Sequence, residues 1–174
     1  MAVSSFLLLA IAMLGAADIL LFHTLAHRLR SHVPARAELV THALRGPTYA
    51  ALFVLVPNVE CRGAWFFVLC GILAFDVAIS VADFWLEPAS RRERGGLPRG
   101  EYLLHVVLAM LFGALVVTVI DEGAAARLLP TALVWIDDGP PWSVRGSLGI
   151  AAPLVLATGL ADAWAVRRLG RASA

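Results

Sequence analysis

From Val106 to Ile120 the chain runs without a single charged side chain, and it repeats something close to this five times. Long apolar runs limit a fold more than any other feature, because roughly 20 apolar residues in a helix are what it takes to cross about 30 Å of hydrocarbon. Of the 174 residues 60% are hydrophobic and 16% charged, against about 45–50% and about 25% in ordinary soluble domains. The expected fold is therefore an all-α integral membrane protein of five transmembrane helices. The runs fall at about 5–29, 37–56, 64–86, 101–120 and 147–166. They use up the chain as a single transmembrane domain, 1–174, with no separate soluble part.

The first run leads into Gly15-Ala16-Ala17, as a signal peptide would. No positive charge precedes it, however, and it continues through Ile19 to Phe22 before reaching arginine, which suits a retained span. Pro34 separates the first two spans and Pro57-Asn58 closes the second. A charged, Pro- and Gly-rich loop is expected at 87–100. The stretch 121–145 carries acidic residues, three prolines and Trp135, with Trp142 among them, and reads as an interfacial loop or a short helix lying on the membrane.

Successive spans alternate in direction, so one face of the membrane receives the end of span one, the loops 30–36 and 87–100, and the C-terminal tail. That face carries Arg28, Arg30, Arg36, Arg45, Arg91, Arg92, Arg94, Arg99, Arg167, Arg168 and Arg171, leaving Arg62, Arg127 and Arg145 for the other. An excess of basic residues marks the cytoplasmic side. The expected location is the inner membrane of a bacterium, with the N-terminus outside and the C-terminus cytoplasmic. A net charge of +1 with arginines confined to short loops excludes a nucleic-acid partner. Cys61 and Cys70 have no spacing suited to a disulfide framework or a zinc knuckle and are read as structural.

Against this apolar background one polar pattern stands out. Glu38 and His42 open the second span, and Glu101 and His105 open the fourth; His23 and His27 end the first, and Asp83 and Glu87 end the third. Each pair is spaced i, i+4, which puts both side chains on one helical face, one turn apart. Alternating direction could have scattered the four pairs over both faces of the membrane. Instead all eight residues fall on the arginine-rich side at similar depth. On span two Glu38, His42, Arg45 and Tyr49 form one stripe, and on span three Asp76, Ser80, Asp83 and Glu87 form another. Ionisable residues facing lipid cost several kcal/mol, so such stripes face other helices. The first four helices are expected to form an antiparallel bundle around a polar site near the cytoplasmic face. An arginine two residues ahead of each Glu, and the repeat of the paired spacing, hint that the two hairpins are duplicates related by an axis along the membrane normal.

Four imidazoles and four carboxylates make a donor set for two metal ions: iron by preference, since carboxylates bridge, with zinc or manganese as alternatives. Soluble di-iron bundles point Glu and Glu-x-x-His motifs inward from four helices. The spacing here is Glu-x3-His, an analogy of architecture rather than membership, and the His-x-x-His-His boxes of membrane desaturases are missing. Asp76 lies about 16 Å deeper than Glu87 at 1.5 Å per residue, too far to share its ligand shell. Asp76 is thus a candidate for a supporting or proton-transfer role, while Arg45 and Tyr49, on the ligand stripe of span two, are candidates for neutralising or orienting carboxylates. Asp18 stands five residues before His23 and, on a regular helix, about 140° from it, facing span five near Asp162. His32 is read as a surface residue and Arg91 to Arg94 as a positive-inside anchor.

The function expected from this pattern is a membrane-embedded metalloenzyme with a dinuclear His/carboxylate site, a di-iron oxidase, hydroxylase or desaturase acting on a lipid-like substrate. It would need an external electron donor, because no flavin or haem-attachment motif is present. Zinc in the same site would give a membrane hydrolase. A non-catalytic metal or proton transporter, an accessory membrane subunit, and a haem protein with His42 and His105 as axial ligands are the further readings. A transporter would need polar residues through the whole thickness, and the far halves of spans two and four are apolar.

Overall fold

The computed structural model describes residues 2–172. Five long helices account for most of them: α1 (Ala2–Asp18), α2 (Arg36–Asn58), α3 (Ala64–Arg91), α4 (Arg99–Glu122) and α5 (Trp142–Ala172). With their short extensions all five are long and apolar enough to cross a membrane, with mean hydropathy from 1.3 to 2.7 over the best window of each. Their outward faces carry large apolar side chains such as Trp85, Met110 and Val117. This is the inverse of a water-soluble helix bundle, whose outer faces are polar.

The breaks between helices follow from local chemistry. Pro34 sits in the short 3₁₀ turn Val33–Ala35 that leads into α2. Gly63 has φ +55° where the chain turns from a short strand, β1 (Val59–Arg62), into α3. Gly95 and Gly96, at φ +89° and +87°, reverse the chain before α4, a conformation that costs glycine little.

Three boundaries differ from the expected ones for a physical reason, and α5 besides runs from Trp142 to Ala172, longer at both ends than the expected 147–166. The first span is not α-helical to residue 29: it changes at Ile19 into a π-helical segment, Ile19–Ala26, whose end is marked by the i→i+5 bond from His27 N–H to Phe22 O at 2.8 Å. The loop expected from residue 87 begins later, because α3 continues through Pro88 to Arg91. A proline removes one backbone donor, and here the helix tolerates that loss within its last turn. The stretch expected as an interfacial loop or short surface helix, 121–145, contains a strand, β2 (Ala132–Trp135), paired antiparallel with β1 so that Val59 faces Trp135 and Arg62 faces Ala132. Alternating half-burial of Ala132, Leu133, Val134 and Trp135 fits a two-stranded ribbon lying on the helix ends. Beside it Arg145 donates to the carbonyls of Ile136 at 2.7 Å and Pro140 at 3.2 Å and lies over the rings of Trp135 and Trp142, which fixes the start of α5.

Packing divides the molecule lengthwise. At the end bearing the ribbon, Leu8, Leu52, Leu69, Leu73, Leu115 and Leu148 close a core exposed by 1% or less. Cys61 is part of it, unpaired, and burial raises its thiol pKa above the usual value. The most extensive helix pair is α2 with α5, followed by α1 with α4 and α2 with α3; α1 and α5 touch much less. The α2–α5 approach is close because Gly46 meets Gly159: a Cβ on either would stand 2.9 Å from the other's Cα. At the opposite end the same helices enclose charge.

Candidate metal centre

The four helix ends that carry the paired motifs converge. His42 Nε2 is 3.3 Å from Asp83 Oδ1 and 3.9 Å from Glu38 Oε1. His27 Nε2 is 2.9 Å from Glu101 Oε2. His105 lies between two carboxylates, with Nδ1 3.1 Å from Glu87 Oε1 and Nε2 3.1 Å from Asp18 Oδ2. The rings of His23 and His42 stack with centroids 4.6 Å apart. Glu38, Glu101 and Glu87 are exposed by 1%, 0% and 4%.

Within this cluster two groups could each hold an ion. One consists of Asp18, His23, Glu101 and His105, the other of His23, Glu38 and His42; in each, one donor atom per residue lies within 4.8 Å of every other. Donors bound tetrahedrally at about 2.0–2.2 Å to one ion stand about 3.3–3.6 Å apart, so the side chains would close in by about 1 Å around an ion. His23 belongs to both groups. Of the eight sequence candidates, the groups use His23, Glu38, His42, Glu101 and His105. His27, Asp83 and Glu87 lie one layer behind: His27 is hydrogen-bonded to Glu101, Asp83 stands 3.3 Å from His42, and Glu87 is hydrogen-bonded to His105. Carboxylates backing imidazoles in this way fix ring orientation and tautomer and raise the basicity of a ligand.

Asp18 is the residue that regular helical geometry misplaces. It does not face Asp162, which pairs instead with Arg30 at 2.6 Å. A π-helix closes i→i+5, so Asp18 and His23 share a face, and Asp18 Oδ2 stands 3.2 Å from His23 Nε2. No periodicity in the sequence announces the wide turn.

Arg91 is the second correction. Expected on the surface as an anchor, it is fully buried and lies at the centre of the cluster, with Nη1 2.6 Å from Glu38 Oε2, Nη2 2.6 Å from Glu101 Oε1, and Nη2 3.5 Å from Glu87 Oε1. Ser90 Oγ also donates to Glu38. This position was legible: Arg91 follows Glu87 by four on the stripe of Asp76, Ser80 and Asp83, and only Pro88, read as a stop, hid it. His32 is partly buried, 3.9 Å from Glu93, rather than fully on the surface.

A polar thread leads inward from the cluster. Arg45 bonds Asp83 at 3.2 Å and Ser80 at 2.9 Å and lies 3.5 Å from Asp76, which is fully buried. Thr48 donates to Asp76 at 3.3 Å. Asp76 thus connects to the site through Arg45 and Asp83 rather than by direct contact. Tyr49 packs against Phe53 and Phe112 at steep ring angles of 56° and 61°.

Charge and hydrogen bonding agree on what the cluster lacks. Six carboxylates (Asp18, Glu38, Asp76, Asp83, Glu87, Glu101) face two guanidinium groups, Arg45 and Arg91, leaving four negative charges in a buried volume if the histidines are neutral. Uncompensated buried charge costs several kcal/mol per ion. His23 Nε2 and Asp18 Oδ1 are buried and make no hydrogen bond, although carboxylates surround the ring. A buried unpaired polar group costs about 1–3 kcal/mol. Two divalent cations, or protons on the imidazoles, would supply the missing charge, and either would give His23 Nε2, 3.2 Å from Asp18 Oδ2, a partner. No known protein family, curated protein or solved structure matches this chain.

Proposed function

We propose that the chain is a membrane-embedded metalloenzyme: its five helices cross the bilayer, and a dinuclear His/carboxylate site, iron by preference, lies at the arginine-rich, cytoplasmic end of the bundle. One observation carries the reading. Two buried donor groups sharing His23 occur where six buried carboxylates meet two guanidinium groups, an excess of four negative charges when the histidines are neutral. Asp18, His23, Glu101 and His105 would hold one ion and His23, Glu38 and His42 the other. Bound iron would supply dioxygen activation, with electrons from an external donor. The chain's own residues do the rest. Glu87 and Asp83 orient His105 and His42, Arg91 holds Glu38 and Glu101 in fixed rotamers, and Arg45 neutralises and orients Asp83 and Asp76.

The substrate side of the reading rests on what borders the cluster. A cavity of about 420 Å³ begins at Asp18, His23, His42 and His105 and continues between apolar side chains, within the roughly 300–1,000 Å³ typical of small-molecule sites. An apolar, lipid-like substrate oxidised at the metal end fits that shape.

The test is metal analysis and optical spectroscopy on protein purified in detergent from cells supplied with iron and zinc. About two iron atoms per chain, lost on changing Glu101 and His105 to Ala but kept on changing His32, supports the proposal. Zinc at the same stoichiometry turns it into the hydrolase. Stable protein free of metal in both media overturns it and leaves protonated histidines as the source of the missing charge.

A further inference from the structure

We infer that the large cavity is a binding site for a single linear acyl chain with an anionic head, and that Phe112, with Ile11 and Phe53, sets the chain length it accepts. The inference deepens the proposed function and relies on it for the cavity's polar end. Three features lead to it.

The cavity has a floor. Phe112 follows His105 by seven residues on α4, and Ile11 precedes Asp18 by seven, so both lie two turns, about 10 Å, below the cluster. Both are buried, as is Phe53, with exposures of 6%, 3% and 3%. Tyr49 packs its ring 5.7 Å from Phe53 and 6.0 Å from Phe112. A chain descending from the histidines meets three side chains locked by the apolar core, and a longer chain has nowhere to go.

The cavity also has a side door. Ala16 and Leu20 on the α1 side and Leu154 on α5 line it and are exposed on the outer surface, Leu20 by 56% and Leu154 by 62%. α1 and α5 touch far less than α2 and α5 or α1 and α4 do. A hydrocarbon dissolved in the bilayer can enter there without crossing water. Nothing about this opening suits a polar substrate, whose desolvation would be uncompensated.

Finally, the polar end continues into a second cavity of about 240 Å³ that shares His23, His42, Arg30 and Asp162 and is lined further out by Arg28 and Ser31. The two cavities therefore meet at the candidate ligands, apolar on one side and, on the other, lined by Arg28 and the Arg30–Asp162 ion pair. An amphiphile lying across the junction puts its anionic head beside Arg28 and its first carbons beside His23 and His42. One chamber with one floor admits one tail, so a two-tailed phospholipid would leave its second chain outside.

The probes are saturated fatty acids of graded length, each with a photoactivatable diazirine at the tail end, added to the full chain in phosphatidylcholine nanodiscs. Adducts are mapped by mass spectrometry after irradiation, and metal content is read on the same samples. The expected result is labelling of Ile11, Phe53 or Phe112 up to a limiting length, with loss of floor labelling for longer probes. Phe112→Ala should move that limit upward, and Phe53→Leu provides a milder variant should Phe112→Ala fail to fold. Leu154→Trp should abolish floor labelling, and Arg28→Gln should reduce it for the fatty acid but not for the matching alcohol. Adducts confined to outward-facing residues such as Leu160 and Trp164, or a limit indifferent to both floor variants, overturn the inference. Floor labelling in metal-free protein would sink the metalloenzyme reading and leave the acyl site standing; bound metal with adducts only outside would do the reverse.

Discussion

The two hairpins begin alike in sequence and end unlike in structure. Each offers an i, i+4 pair, a reversal, an arginine, and then Glu-x3-His. The first, however, interrupts its leading helix with a π segment, Ile19–Ala26, while the second carries a regular α3 through Pro88. The consequences are opposite. The wide turn recruits Asp18 and sets His23 against both candidate groups; the continued helix brings in Arg91, a fully buried guanidinium on Glu38 and Glu101, while Arg45 of the first hairpin reaches Asp83, Ser80 and Asp76 instead. The first hairpin supplies more of the candidate donors and the second the guanidinium between Glu38 and Glu101, so a repeated motif is used unequally in its two copies.

The sharpest way to break this comparison is to remove the residue common to both groups. His23→Ala should lose both ions, whereas His42→Ala should lose only the one shared with Glu38, and His105→Ala only the one shared with Asp18. Metal stoichiometry on the purified variants reads this directly. Equal losses for all three would mean that the groups act as a single cooperative site. Asp18→Ala should behave like His105→Ala; with a regular helix at 19–26 it would face away and change nothing, so its metal content tests the π turn itself.

A smaller effect, on stability, probes the second hairpin's contribution. Arg91→Met leaves Glu38 and Glu101 buried without their cation, and breaking a buried pair from one side costs about 3–5 kcal/mol. Thermal unfolding in detergent should drop markedly, and added divalent metal should recover part of the loss by neutralising the same carboxylates. Arg91→Lys should recover less than the native residue, because a lysine ammonium cannot span Glu38 and Glu101 as the guanidinium fork does. Unchanged stability in Arg91→Met would mean that those carboxylates are protonated.

Much of this architecture was legible in the chain. Apolar length located five helices, and alternation of direction put eight donor residues at one end, because both arguments depend on composition and topology and not on side-chain detail. What escaped depends on local backbone choices that many sequences share. Ile19 to Ala26 is as good an α-helix as a π-helix by propensity, so Asp18 could not be aimed. Pro88 is compatible with a stop or with a last turn, and the first choice hid Arg91. The strand pairing of β1 with β2 joins segments 70 or more residues apart with no alternation strong enough to announce it.

The same comparison extends to how the ends are held. The first hairpin is also fastened from outside, where α2 meets α5 at Gly46 and Gly159, and α3 has no equivalent partner. Gly46→Val would drive a Cβ to within 2.9 Å of Gly159 Cα, and overpacking of this kind costs about 1–3 kcal/mol. Backbone on both sides leaves little room to yield, so the helices must separate, and His42, one turn before Gly46, moves with α2. We expect a modest fall in unfolding temperature together with weaker retention of the His42 ion under chelator challenge, while the ion beside His105 on α4 is retained as in the native protein. Loss of both ions at the same chelator concentration would mean that the hairpins are mechanically one unit, and that their asymmetry is confined to the ligands.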